Sequence, residues 1–171
     1  MFQQWLNWRS LLAIIAVIIV IGTIFYSRLL AGKIDREERH KVEAWAEAQQ
    51  FIVKATPEQD ILFATIIMAG QTEIPVIETN EKDSITNYHN IDSIKVARHA
   101  SYLQVRLREF KKSNNPIVTY LDSESSTFNR YYYGESVLLK QVRYYPMVQL
   151  VIVALFILIT LLAFTARHRS A

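Results

Sequence analysis

Two stretches without a charged side chain constrain this chain more than anything else in it. One covers residues 10–27, between Arg9 and Arg28; the other covers 144–166, between Arg143 and Arg167. An α-helix rises about 1.5 Å per residue, so roughly 20 apolar residues cross a hydrocarbon layer about 30 Å thick. The second stretch meets that length outright. The first meets it when the Arg28 side chain snorkels and Leu29, Leu30 and Ala31 join the span. A buried core helix, or a cleaved signal peptide for the first stretch, are the competing readings. The polypeptide between the stretches is too small to bury two helices that are apolar all round, and no small-x-small cleavage site precedes Lys33. Two transmembrane helices are therefore expected, over 10–31 and 144–166, with the lipid bilayer as first partner. Residues 1–9 and 167–171 are then short ends, and 32–143 form the folded domain.

The charges divide accordingly. All 16 acidic residues lie between Arg28 and Arg143, with all but Arg9, Arg167 and Arg169 of the 19 basic ones. The domain is neutral and the net charge of +3 belongs to the membrane flanks, so the basic pI of 9.1 carries no argument for nucleic acid. Arg28, Lys33, Arg36, Arg39 and Lys41 crowd the inner edge of the domain, so a local positive-inside count leaves the topology open. The chain has no cysteine, which excludes disulfides, thiolate metal sites and a Cys nucleophile.

Trp5, Trp8, Phe25, Tyr26, Tyr144 and Tyr145 stand where interfacial anchors belong. No proline precedes Pro57, so the first helix is expected to run unbroken out of the membrane. Val42, Trp45, Gln49 and Ile52 make its apolar stripe, which packs on its own domain or also on a second copy. Asp35 with Arg39, and Glu37 with Lys41, are i,i+4 ion pairs in waiting. Thr56, Pro57 and Gln59 predict an N-cap, first position and third position of a helix reaching Gly70. Strands are predicted over Ile74–Ile77 and Ile85–His89. Asp92 caps a single helix through Val96, Ala100, Leu103, Leu107 and Phe110. A hairpin of Ile117–Leu121 and Thr127–Tyr133 follows. Ser136 caps a short helix that breaks at Tyr145–Pro146, because proline disfavours helical geometry in the residue before it.

Catalytic chemistry is not written into these residues. His40, His89, His99 and His168 lack paired-ligand spacing; a shared site of His89 and His99 is the one metal arrangement to examine. Four glycines, none at phosphate-loop spacing, exclude a nucleotide cradle. Ser123, Ser125 and Ser126 belong to a turn, and Glu37 and Glu38 read as exposed helix surface. The binding candidates are Arg98, on a basic face shared with Arg106 and Arg108, and Tyr131 and Tyr133, on one side of a strand. For both, the plainer readings are a solvated face and a filled core. A stretch of helix, helix, two strands, helix, two strands and helix gives an α+β fold, a small PAS-like sensor domain with a long N-terminal helix, flanked by the two transmembrane helices.

Tyr132-Tyr133-Gly134-Glu135-Ser136, Leu138-Leu139-Lys140-Gln141 and Arg143-Tyr144-Tyr145-Pro146 resemble the segment before the second membrane helix in bacterial sensor histidine kinases. Val42-Glu43-Ala44-Trp45-Ala46-Glu47 and Ile74-Pro75-Val76-Ile77 are similar to the same group's sensor region, and Thr165-Ala166-Arg167-His168-Arg169-Ser170 to its cytoplasmic linker. The resemblance implies a protein of the bacterial inner membrane, with the domain periplasmic and both termini cytoplasmic. It implies a homodimer that passes an extracytoplasmic stimulus to a kinase core lying beyond this chain. ATP and magnesium would belong to that core, which would serve a response regulator; this chain itself would hold no cofactor, metal or catalytic residue. The alternatives are a sensor module of a chemoreceptor or cyclic-dinucleotide enzyme, distinguished by a HAMP-like or GGDEF sequence after Ala171, and a small two-span scaffold or accessory protein, distinguished by a stop codon there.

Overall fold

The computed structural model describes residues 8–120 and 127–169, with side chains over 14–120 and 127–159. Trp5, residues 121–126 with Leu121 of the expected hairpin strand and Ser123, Ser125 and Ser126 of the expected turn, and the His168 side chain lie outside those residues. The chain divides into two compact units, residues 34–138 and the pair of segments 1–33 and 139–171.

The 34–138 unit is a four-stranded antiparallel sheet with helices on both faces. The long first helix, α1 (Trp8–Lys54), is followed by α2 (Leu62–Gly70), β1 (Val76–Thr79), β2 (Ile85–His89), α3 (Ser93–Arg98), α4 (Tyr102–Ser113), β3 (Ile117–Tyr120), β4 (Phe128–Tyr133) and α5 (Val137–Arg169). The strand order is β2-β1-β4-β3. Successive side chains of a strand point to opposite faces, so the sheet has two cores. On one face Val42, Trp45 and Ala46 of α1 pack on Ile74, Val76, Ile117, Tyr131 and Tyr133. On the other, Leu107 and Phe110 of α4 pack on Ile77 and Tyr132. Val42 and Trp45 of the stripe expected on α1 are thus covered by its own sheet, and Gln49 bonds Glu78 of β1.

Local chemistry explains the boundaries. The β2 strand has the bounds expected from sequence. Asp92 caps α3 as predicted, accepting from the Ile94 and Lys95 backbone N–H groups at 3.0 and 3.3 Å. The β1 strand starts two residues later than expected, because Pro75 has no N–H for the ladder and Ile74 is taken by Gln71. The Gln59 side chain accepts from the Thr56 N–H as expected, but the Gln59 N–H goes to the Thr56 backbone carbonyl and not to its hydroxyl, and α2 begins only at Leu62, whose N–H goes to Asp60 Oδ1 at 2.8 Å. An aspartate that bonds two residues ahead offers the backbone an alternative to the helix.

The single helix expected through Ala100 is two. His99 is extended, with φ −131° and ψ 101°. Only Leu107 and Phe110 are fully buried, both in α4, while α3 buries nothing, so no packing holds residues 99–101 helical. Gly134 ends β4 where the chain passes the Phe110 ring: a Cβ there would lie 2.8 Å from Phe110 Cδ1 and 2.9 Å from Cζ.

The other unit contains the N-terminal part of α1 and most of α5. Both helices are long and apolar enough to cross a membrane, and their most apolar windows are 11% and 0% buried within the structure. The break expected at Tyr145–Pro146 does not occur: α5 runs through Pro146 without interruption.

Candidate functional site

The sheet face beneath α1 gathers polar side chains that no local pattern associates. The register sets Glu78 opposite Tyr131 and Thr119 opposite Asn129, and alternation along β4 brings Asn129 and Tyr131 to the same face. Glu78 is only 7% exposed. A buried carboxylate is costly unless hydrogen-bonded, and here both oxygens accept from neutral amides: Oε2 from Gln49 Nε2 at 3.0 Å, Oε1 from Asn129 Nδ2 at 2.6 Å. Burial first, and the Glu78 charge second, push the Tyr131 hydroxyl above its usual pKa. Trp45 meets Tyr131 edge-on at 5.8 Å and stacks on His89 at 5.2 Å. Among the described residues, Trp45 Nε1 and Gln49 Oε1 are buried without a hydrogen-bond partner. Such side chains bind, orient and exclude water.

His89 is fixed further: its Nε2 lies 2.9 Å from the Gln71 carbonyl, which requires the Nε2–H form. Asn90, in the left-handed region at φ 53°, donates to the Gln71 and Ile74 carbonyls. His99 is exposed at the α3–α4 break. Among the described residues no group of three His, Cys, Asp or Glu side chains is placed to hold a metal ion.

The sequence candidates separate. Tyr131 and Tyr133 are buried together beneath α1, and Arg98 is exposed at the end of α3. Burial also raises the Tyr133 pKa, opposed by Arg39. Tyr132 faces α4, with its hydroxyl 3.3 Å from Asp83 Oδ1. Asp83 also takes Lys111 at 3.0 Å and Arg130 at 2.8 Å, and the Lys111 hydrogen bond is the largest cause of its lowered pKa. Of the basic face, Arg106 is committed to Glu109 and to the Phe110 ring.

One expectation is overturned. Glu38 is not exposed helix surface; it is 5% exposed, and its carboxylate accepts from both the Ser136 hydroxyl and, at 3.2 Å, the Ser136 N–H. A carboxylate at a helix N-terminus offsets the partial positive charge there, so Glu38 of α1 caps the start of α5. Arg39, expected to pair with Asp35, makes its ion pair with Glu43 instead, at 2.8 Å. Sequence reasoning also missed Glu78. Its signal was a charge among the apolar residues of a strand that was expected to end at Ile77. Compared with known protein families, curated proteins and solved structures, the chain matches none.

Proposed function

We propose that this chain is the sensor and membrane portion of a signal-transducing histidine kinase, with the 34–138 unit outside the cytoplasm. The observation that carries the reading is the pairing of Glu38 with Ser136, 98 residues apart. It joins the two helices that continue into the apolar segments, so a change in the domain reaches both together. The bare apolar windows of α1 and α5 support burial in lipid, where a helix satisfies its own backbone groups. The kinase identity rests on the resemblance of Tyr132–Pro146 and its companion motifs. A stimulus acts by binding one of two arrangements of the domain more tightly than the other. Because α1 spends Val42, Trp45 and Gln49 of its stripe on its own sheet, the homodimer would form through other faces.

Joining the chain in frame to the dimerisation and catalytic core of a histidine kinase tests this. Membranes carrying the fusion should autophosphorylate, and Glu38→Ala should change the level at equal expression. An output indifferent to every change in the 34–138 unit would refute the reading.

A further inference from the structure

An uninterrupted α5 needs an explanation, because proline inside a helix leaves a carbonyl unpaired. Pro146 has no N–H, and the acceptor it abandons is the carbonyl of Val142, four residues earlier. That oxygen is not left bare. Ser27 Oγ of α1 donates to it at 2.6 Å, and Ser27 is itself 7% exposed. Ser27 thus supplies the hydrogen bond that Pro146 withholds, in the way serine re-satisfies freed carbonyls in membrane helices. A second contact lies one turn away on the same face of α1. Thr23 Oγ1 donates to the Ile19 carbonyl at 2.8 Å and stands 3.5 Å from Gln149 Nε2 of α5.

We infer that Ser27, the Val142 carbonyl and Pro146 form a latch that fixes the depth and rotation of the second apolar helix against the first. A proline bend normally lets a helix flex at the freed carbonyl. Here the carbonyl is tied to the neighbouring helix, so flexing α5 and releasing α1 become one event. In an isolated α5 the same proline would be a hinge. Next to Ser27 it is a coupling point, and a signal that moves the helices must break or exchange that single bond. Ser27 and Pro146 are positioning residues whose effects depend on each other. Their role in signalling rests on the transmembrane reading above; the bond itself does not.

The test uses the full chain in lipid nanodiscs. The sequence has no cysteine, so spin labels on Leu29→Cys and Met147→Cys, both exposed positions, report the separation of the helices by pulsed electron paramagnetic resonance. S27T keeps the hydroxyl and should leave the distance distribution as narrow as in the parent. S27A and S27V, which lack it, should broaden or shift the distribution and lower the thermal midpoint by on the order of 2 °C. In P146A the new N–H bonds the Val142 carbonyl, and the effect of adding S27A should be lost. The latch is overturned if S27V behaves as S27T does, a comparison that needs no change at Pro146. It is equally overturned if S27A shifts the distances as much in the P146A background as in the parent. Distances that obey these rules in a chain whose kinase fusion ignores the domain would sink the sensor reading alone.

Discussion

Single residues carry unequal weight in this fold, and Gly134 matters for the atom it lacks. Its missing Cβ is what admits the Phe110 ring. Gly134→Ala should destabilise the 34–138 unit by about 1–3 kcal/mol, the usual cost of overpacking, read as a lower denaturation midpoint. Asp83 illustrates a smaller, titratable effect. It stands in the left-handed region at φ 60°, which asparagine tolerates, so D83N removes the charge with little backbone penalty. Its side chain is 44% exposed, so solvent screening limits the ion pairs with Lys111 and Arg130 to about 0.5–1 kcal/mol. Its folded pKa lies below 3.8. The contribution is therefore complete above that value and disappears as pH falls through the folded pKa. Wild type and D83N should differ in stability at pH 7 and converge in acid; a gap that persists in acid would assign the effect to something other than charge. Tyr131, Tyr132 and Tyr133 carry the opposite sign. Burial raises all three above 10, so the unfolded chain releases those protons first and stability falls as pH rises past 10. Ultraviolet titration should show part of the tyrosine ionisation delayed to higher pH in the folded chain than in the denatured one.

Elements are legible in the sequence where local chemistry decides them and obscure where a distant partner does. The β2 strand and the Asp92 cap can be read directly, because alternation and capping are matters of adjacent residues. Both cores are foreshadowed by the Tyr131–Tyr133 alternation and the Leu103, Leu107, Phe110 stripe. The unbroken α5 is not legible: its missing hydrogen bond is supplied by Ser27, 115 residues away. Glu38 misleads for the same reason, since a carboxylate next to Glu37 on a charged helix gives no sign of a partner in Ser136. The polar cluster at Glu78 requires the β1–β4 register, which no stretch of sequence contains. The Glu38 cap predicts that Glu38→Ala, which removes a buried acceptor from the Ser136 donors, costs about 1–3 kcal/mol. Thermal melts should show it, with Glu37→Ala, on the neighbouring position, as the near-neutral control.

At the scale of the whole molecule, the distribution of apolar surface is the governing fact. Within the 34–138 unit, apolar residues line two cores on either face of one sheet. In the α1 and α5 windows they point outward, with 11% and 0% buried. Water does not support that arrangement, since contiguous exposed apolar patches on soluble monomers rarely exceed a few hundred Å²; lipid does. Charge follows the same division, with every acidic residue between Arg28 and Arg143. This distribution supports two helices held in a bilayer; that the sheet domain lies outside the cytoplasm is the part of the proposal that rests on the resemblance alone. The proposal's most direct measurement places one cysteine at Glu81, an exposed position in the β1–β2 turn, and exposes intact bacteria expressing the chain to a membrane-impermeant maleimide. Labelling before lysis, on a chain recovered with the membranes, is the predicted result. A chain found in the soluble fraction, or one labelled only after the cells are broken, would contradict it.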